Sequence, residues 1–544
     1  MISTNQKSQP AGSALLQSFR FNGLEVGEWC ALPPPGGSGL PPCDVLLALD
    51  FAGSVGGSLA DRLADARQRL GTDGVLLLAL PNRFGLRFWS GCPEPATGRL
   101  FATLTGPGAM PAAAAEAAGR PRSFVSRREL AEALAEAGFT ALEWFFAVPQ
   151  GAEARRSGSL ISEQLVAAAP ELAADLASAQ PSADALRPRL DLFPEALVYR
   201  ELARAGLFAE FANYFLVAAA PSPATPGSSI WPRLRPSAAE VGWHFAAERR
   251  QPIATVFERG AEGITVGKCR TDGGADPGVN AAGAYVWSAP ERTTLAPGEP
   301  LRLRLQEHLV ASRNEPFLDE FVRFAAAIRE RFGGGEDLAA EALDATLVNA
   351  TRDQGGVYHL FDLEWRAPAG VPLSWWLLRN VLSLLEMRGP RFAQVATGAD
   401  LYATLCQRLA IVPRLAVDLA REAEFGAAAR NLSPESGMAR LTGALEQPWP
   451  VPVALGLDTA ELRSAFELGA AHQQLVADYH KLELWAEETQ QKYAATESAY
   501  RRLESWAMEV QQANQTVLTD YRKLAEWANG LQAELQQRDS GHRS

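Results

Sequence analysis

The stretch ALDATLVNATRDQGGVYHLFDLEW sets Asp344 five positions before Asn349 and eighteen before Asp362, with Gly355-Gly356 between the last two. A carboxylate, an amide and a second carboxylate in that order suit phosphoryl transfer from a nucleotide. One carboxylate positions the acceptor hydroxyl, while the amide and the other carboxylate hold Mg²⁺ beside the phosphates. A lysine must pair with those phosphates, and Lys268 stands alone among small and apolar neighbours in ITVGKC. On this reading Asp344 faces the acceptor, Asn349 and Asp362 are the Mg²⁺ ligands, Lys268 binds phosphate, and the ligand is Mg-ATP. The plainer alternative is that both acids cap turns and the lysine is solvated.

Several elements must hold these residues together. PIATVFER-GAEG-ITVGKC reads as a hairpin with Lys268 on its second strand. EPLRLRLQEHLV and EPFLDEFVRFAAAIRERF have helical periodicity, GGVYHLFDLEW gives a turn and a short strand ending at Asp362, and VPLSWWLLRNVLSLLEM is a buried helix. Together they predict an α+β domain over 238–450. A lysine on a hairpin, then D-x-x-x-x-N, a hairpin and a final Asp resembles the protein-kinase-like superfamily. D-L-E-W is closer to its small-molecule kinases, of the aminoglycoside and choline type, than to D-F-G. The resemblance implies a kinase-like fold with the four roles just given. The chain departs from that pattern in three places. Ala342 stands where a His is usual, EVGWHFAAERRQ has one glycine where a phosphate loop has several, and no helix offers Lys268 an evident acid, Glu291 being the nearest candidate.

The N-terminal half alternates strand and helix. CDVLLALD is a short apolar run, SLADRLADARQRL is helical, and GTDGVLLLALPNRFG is a turn, a strand and a strand-end loop. In SRRELAEALAEAGF, Ser126 and Glu129 form a capping box, Gly138 ends the helix, and TALEWFFAV is the next strand. This order predicts a parallel or mostly parallel α/β sheet over 43–218. Loops at strand ends carry function in such sheets, so PNRFGLRFWSG is a candidate substrate site. Asn82 could orient a polar acceptor there, and Phe84, Phe88 and Trp89 could stack on a sugar. Equally, the aromatics could just cover the sheet edge. GSVGG (53–57) reads as an ordinary turn rather than a phosphate nest.

GVLLLALPNRFGLRFWSG, RSFVSRRELAEALAEAGF and LFPEALVYRELARAGLFAEFANYFLVAA resemble the class I S-adenosylmethionine-dependent methyltransferases, in a branch associated with bacterial surface-polysaccharide genes. The resemblance implies a Rossmann-like sheet whose first half holds the methyl donor through a glycine-rich turn and an acid. This chain enters at what corresponds to the fourth strand, with no strand–GxGxG–helix upstream. The chain alone is therefore not expected to bind S-adenosylmethionine.

Composition bounds the rest. With 51 basic and 63 acidic residues the net charge is −12, and no basic block marks a nucleic-acid partner. The 5 cysteines form no CxxC pair, which points to reduced thiols in the cytoplasm. No secretory signal and no membrane-spanning run is evident. Pro- and Gly-rich LPPPGGSGLPP closes a leader over 1–42, and AAPSPATPGSSIWPRLRPS marks a linker over 219–237. Beyond residue 460 heptads run without a skip, Tyr479, Ala486, Tyr493 and Tyr500 opening the a series and Leu475, Leu482, Thr489 and Thr496 the d series. A homo-oligomeric coiled coil over 460–538 follows. Tyr-Leu-Trp recurs every 21 residues, with Trp485, Trp506 and Trp527 at g.

Methyltransferase-like, kinase-like, coiled coil: the order resembles bifunctional proteins that cap and measure O-antigen chains in Gram-negative bacteria. It implies a multidomain cytoplasmic protein, peripheral to the inner membrane through partners, that meets a glycan acceptor beside glycosyltransferases. Its transferase-like domains are read as degenerate or inactive. A working methyltransferase or sugar kinase, and a scaffold that only recruits glycosyltransferases, are the alternatives.

Overall fold

The computed structural model describes residues 19, 26–28, 43–48, 59–94, 99–105, 124–148, 158–178, 192–221, 234, 237–245, 253–270, 279–311, 313–333, 335–384, 395, 397–430, 433–447 and 459–541. The chain forms two units, Met1–Leu462 and Arg463–Ser544. The leader's prolines, the GSVGG turn and most of the expected linker lie outside the described residues.

The first unit is mixed α/β and is organised by one 10-stranded sheet. Its strands include β1 (Val26–Glu28), β2 (Cys43–Ala48), β3 (Leu70–Pro81), β4 (Ala141–Val148), β5 (Gly158–Ser162), β6 (Tyr214–Ala220), β7 (Glu240–Phe245), β8 (Ile253–Gly260) and β9 (Gly263–Arg270). Across the sheet they run β1-β2-β3-β6-β4-β5-β7-β8-β9, and Thr293–Thr294 completes the far edge. Among the described strands of this sheet, β1–β2 and β2–β3 pair in parallel. Their neighbours β6, β4, β5, β7, β8 and β9 pair antiparallel in turn. The mostly parallel expectation is thus corrected. A reversed strand, β6, lies between β3 and β4, and hairpin-type pairing takes over beyond it.

VLLLALP in β3 is apolar throughout because both its faces are covered. Leu76, Leu78 and Leu80 enter one core with Leu130, Leu134 and Phe146, while Val75, Leu77 and Ala79 enter another with Val45 and Trp243. Each such leucine contributes about 1.5–3 kcal/mol. The helix Arg127–Glu136 starts at the expected capping box, with Ser126 and Glu129 each bonding the other's backbone N–H. It packs Leu130 and Leu134 beneath the sheet.

Two boundaries differ from the sequence reading. The leader over 1–42 contributes β1 to the sheet edge, and Phe19 is buried against Phe145. Nor does the Pro-rich stretch 219–237 separate two sheets. β7 pairs with β5, so the second half of the chain extends the sheet of the first. Leu234, inside that stretch, is buried in the core that holds Val45 and Trp243. Proline disfavours helix interiors and central strands, but it does not stop a connection from recrossing the same sheet.

Beyond the sheet, the helices Leu301–Val310, Asn314–Phe332, Leu373–Leu384, Gly398–Arg408 and Leu415–Ala429 enclose a third core around Phe321, Phe324 and Trp376. The second unit belongs to the single helix Thr459–Gly541, 83 residues long, or about 125 Å at ~1.5 Å per residue. Its a, d and g side chains face solvent, with Tyr479, Leu482 and Trp485 each more than 60% exposed. No helix among the described residues is long and apolar enough to cross a membrane.

Candidate functional site

Side chains from two other segments reach Lys268, and a third segment supports them. The β8–β9 register sets Thr255 opposite Lys268, so the ammonium donates to the Thr255 hydroxyl at 2.8 Å. It also meets Asp362 Oδ2 at 2.8 Å and Glu364 Oε2 at 3.0 Å. The Lys268 side chain is fully buried, so both carboxylates are needed to offset its desolvation. Trp287 Nε1 donates to Glu364 at 2.9 Å, brought in by pairing of Tyr285–Ser288 with Trp365–Arg366.

Asp344 and Asn349 sit on two 3₁₀ turns, Ala340–Asp344 and Leu347–Asn349. Asn349 Nδ2 donates to the Asp344 carbonyl at 3.0 Å, closing the loop between them. The hairpin of Ala350–Arg352 with Tyr358–Leu360 follows, and Phe361 N–H returns to the Asn349 carbonyl at 3.0 Å. Asp362 follows directly on that backbone bond. The expected strand stops at Leu360, two residues short of Asp362, which lies in the left-handed region at φ +58. Asp tolerates that conformation better than most residues.

The Asp344 carboxylate turns inward. Its Oδ2 accepts the backbone N–H groups of Glu364 at 3.0 Å and Trp365 at 3.3 Å, and Arg379 stands 3.8 Å from Oδ1. Burial, then the Glu364 charge, push its pKa up to about 7 against the pull of Arg379 and the backbone bond.

Sequence reasoning missed what clamps this loop. On the helix Leu373–Leu384, Trp376 Nε1 donates to the Ala345 carbonyl and Asn380 Oδ1 accepts from Leu347 N–H, both at 2.8 Å. Arg379 donates to the Leu343 carbonyl at 3.0 Å and holds Glu422 with two bonds of 2.9 Å. Arg and Asn inside the apolar SWWLLRNVL were the available signal, since buried polar groups must find partners. Glu364, the acid of D-L-E-W, is a second carboxylate on Lys268, and its place beside the lysine has no local sequence signal. Glu291, the sequence candidate for that role, is exposed.

The loop after β3 is a contrast. Asn82 is fully buried and spends its amide on its own surroundings. Nδ2 donates to the carbonyls of Glu210 and Ala212, both at 2.8 Å, and Oδ1 accepts from Phe84 N–H at 3.0 Å. Its expected role of orienting an acceptor is corrected, because those bonds occupy the amide. Phe84 is half-buried. Trp89 is 41% exposed, near the Phe211 ring, with Nε1 on the Phe84 carbonyl.

Among the described residues no three His, Cys, Asp or Glu side chains gather so as to hold a metal ion. No protein-family model, curated protein or solved structure matches the chain.

Proposed function

We propose that the chain is a transferase-like protein of bacterial surface-polysaccharide assembly, with a kinase-like Mg-nucleotide site built on Lys268, Asp344, Asn349 and Asp362. The observation that carries this reading is the 2.8 Å contact of Lys268 with Asp362 across 94 residues of sequence, beside the Asp344–Asn349 loop. Asn349 uses its Nδ2 on the Asp344 carbonyl, which leaves Oδ1 as the atom able to ligate. One amide oxygen and one carboxylate, completed by phosphate oxygens, form a donor set that Mg²⁺ accepts. Bound nucleotide would supply the phosphoryl group. Lys268 would pair with its phosphates, and Asp344 would hold the proton of a glycan acceptor's hydroxyl once its carboxylate turns out from the backbone N–H groups of Glu364 and Trp365. Purified protein should gain thermal stability in millimolar Mg-ATP, as RT ln(1 + [L]/Kd). No gain at millimolar ligand would sink the nucleotide reading.

The half over 43–218 is read as methyltransferase-like and degenerate. Its support is the parallel β2–β3 pair with a crossover helix, Leu59–Arg69, between them, extended in parallel by β1 from the preceding segment. Calorimetry with S-adenosylmethionine should register no binding by this chain alone, and micromolar binding would contradict that. The tail is read as a coiled coil joining copies of the chain. The whole is placed in the cytoplasm, at the inner membrane only through partners such as glycosyltransferases.

A second reading, a scaffold without catalysis, is favoured by one observation. Lys268 is already neutralised by Asp362 and Glu364 and has no exposed side-chain surface.

A further inference from the structure

The tail helix leaves a broad apolar stripe uncovered. Leu475, Tyr479, Leu482, Trp485, Leu503, Trp506, Leu524 and Trp527 are each between 61% and 67% exposed. We infer that this stripe pairs with a second copy of the same helix running in the opposite direction, about a two-fold axis between Leu503 and Ala507. The inference rests on the reading of the tail as a joint between copies and adds its direction, register and stoichiometry.

Residue sizes along the stripe fit a reversed pair. In a parallel pair each layer meets its own copy. Ala486, Ala507 and Ala528 would then face alanine while Tyr479, Tyr493 and Tyr500 face tyrosine, so thin and thick layers alternate. Thin layers leave voids and thick ones force the helices apart. Reversal sets each a residue against a d residue of the partner. With Leu503 on the partner's Ala507, the same register sets Leu524 on Ala486, Leu482 on Ala528, and Val510 and Val517 on Tyr500 and Tyr493. Every alanine layer is filled by a leucine. Asn514, the one amide in the a series, meets the Thr496 hydroxyl instead of an apolar side chain, so its polar group has a partner.

The flanking g positions agree. Trp506 falls beside its own copy, Trp485 beside Trp527, and Lys492 beside Asp520. Against this stand Asp478 near Glu534 and Glu504 near its own copy, all at exposed flanks where charge contacts are weak. A shift of one heptad either way parts the tryptophans. One direction sets Asn514 on Leu503, and the other sets Ala507 on Thr496. In this register the Tyr-Leu-Trp repeat at 21-residue intervals is what lets the two ends match. Because the stripe's own leucines fill its own alanine layers under reversal, a second copy fits it as the partner of a two-fold homodimer, in which residue i meets j and j meets i.

Site-specific cross-linking of the full chain tests this. Ala486→Cys alone and Ala486→Cys with Leu524→Cys are oxidised, or treated with a short bis-maleimide, beside the wild type as control for the 5 native cysteines. Within one helix the two sites are about 57 Å apart, beyond any disulfide. The expected result is a solution mass twice the 58.5 kDa chain, covalent dimer from the double variant, and no more than the wild-type background from Ala486→Cys. Covalent dimer from Ala486→Cys alone would show a parallel pair and overturn the inference while leaving the tail as a joint. A trimeric or larger mass would overturn the two-stranded form. A monomeric mass without cross-linking would remove the joint itself.

Discussion

The loop after β3 and the cluster around Lys268 both lodge polar groups in apolar surroundings, and they satisfy them in opposite ways. Asn82 reaches backbone atoms alone, two carbonyls and one N–H, and every polar atom of its side chain is engaged. Lys268 gathers charged side chains from segments that no local rule connects. The first arrangement fixes a loop. The second confines two carboxylates, a buried cation and an acid titrating near neutrality, which is the kind of charge imbalance that binding or chemistry needs. A buried polar residue is therefore a weak sign of function until its partners are known.

Substitutions can break or sharpen this contrast. Lys268→Met should be the most damaging. It leaves Asp362 and Glu364 facing each other without their cation, at a cost of about 3–5 kcal/mol by chemical denaturation. A loss below about 1 kcal/mol would mean that the buried pairs are not formed in solution. Asn82→Ala should cost about 1–3 kcal/mol, since two carbonyls and an N–H lose a partner. A ligand-contacting Asn82 would instead leave stability unchanged and weaken binding.

Asp344→Asn should act with the opposite sign and depend on pH. A carboxyl whose folded pKa is raised stabilises the fold fully below its unfolded value, near 4, and that stabilisation is lost as pH rises through about 7. Wild-type stability should fall across that window. The amide variant should lack this component and, at pH 8, equal or exceed the wild type by about 1 kcal/mol, because Oδ1 can still accept a backbone N–H. Parallel pH curves for the two proteins would contradict the buried acid. Trp89→Ala, at an exposed ring, should stay within about 0.5 kcal/mol. A larger loss would show that the Phe211 contact supports the loop.

Sequence made some of this legible and hid the rest for physical reasons. Ser126 and Glu129 announced a helix start because a capping box is local. GAEG between alternating runs announced the β8–β9 hairpin for the same reason. The order of Lys268, Asp344, Asn349 and Asp362 was readable in the sequence, and the fold brings the Lys268 and Asp362 side chains to 2.8 Å of each other. Strand neighbours were not readable. That β6 would insert between β3 and β4, and that β7 would join β5, depends on pairings between distant segments that leave no period in the sequence. Proline near 219–237 suggested separation for want of that information. Glu364 escaped as the lysine's acid because its partner lies 96 residues earlier, and Arg379 and Asn380 escaped because an apolar helix hides which way its polar positions point.

Thermal unfolding of the wild type and of Asp362→Asn, each with and without millimolar Mg-ATP, tests most directly whether Lys268, Asn349 and Asp362 form a site for Mg-nucleotide. If they do, the wild type is stabilised only when both Mg²⁺ and nucleotide are present, and Asp362→Asn loses that stabilisation. Equal melting temperatures for the wild type with and without Mg-ATP, or stabilisation that survives Asp362→Asn unchanged, would contradict it.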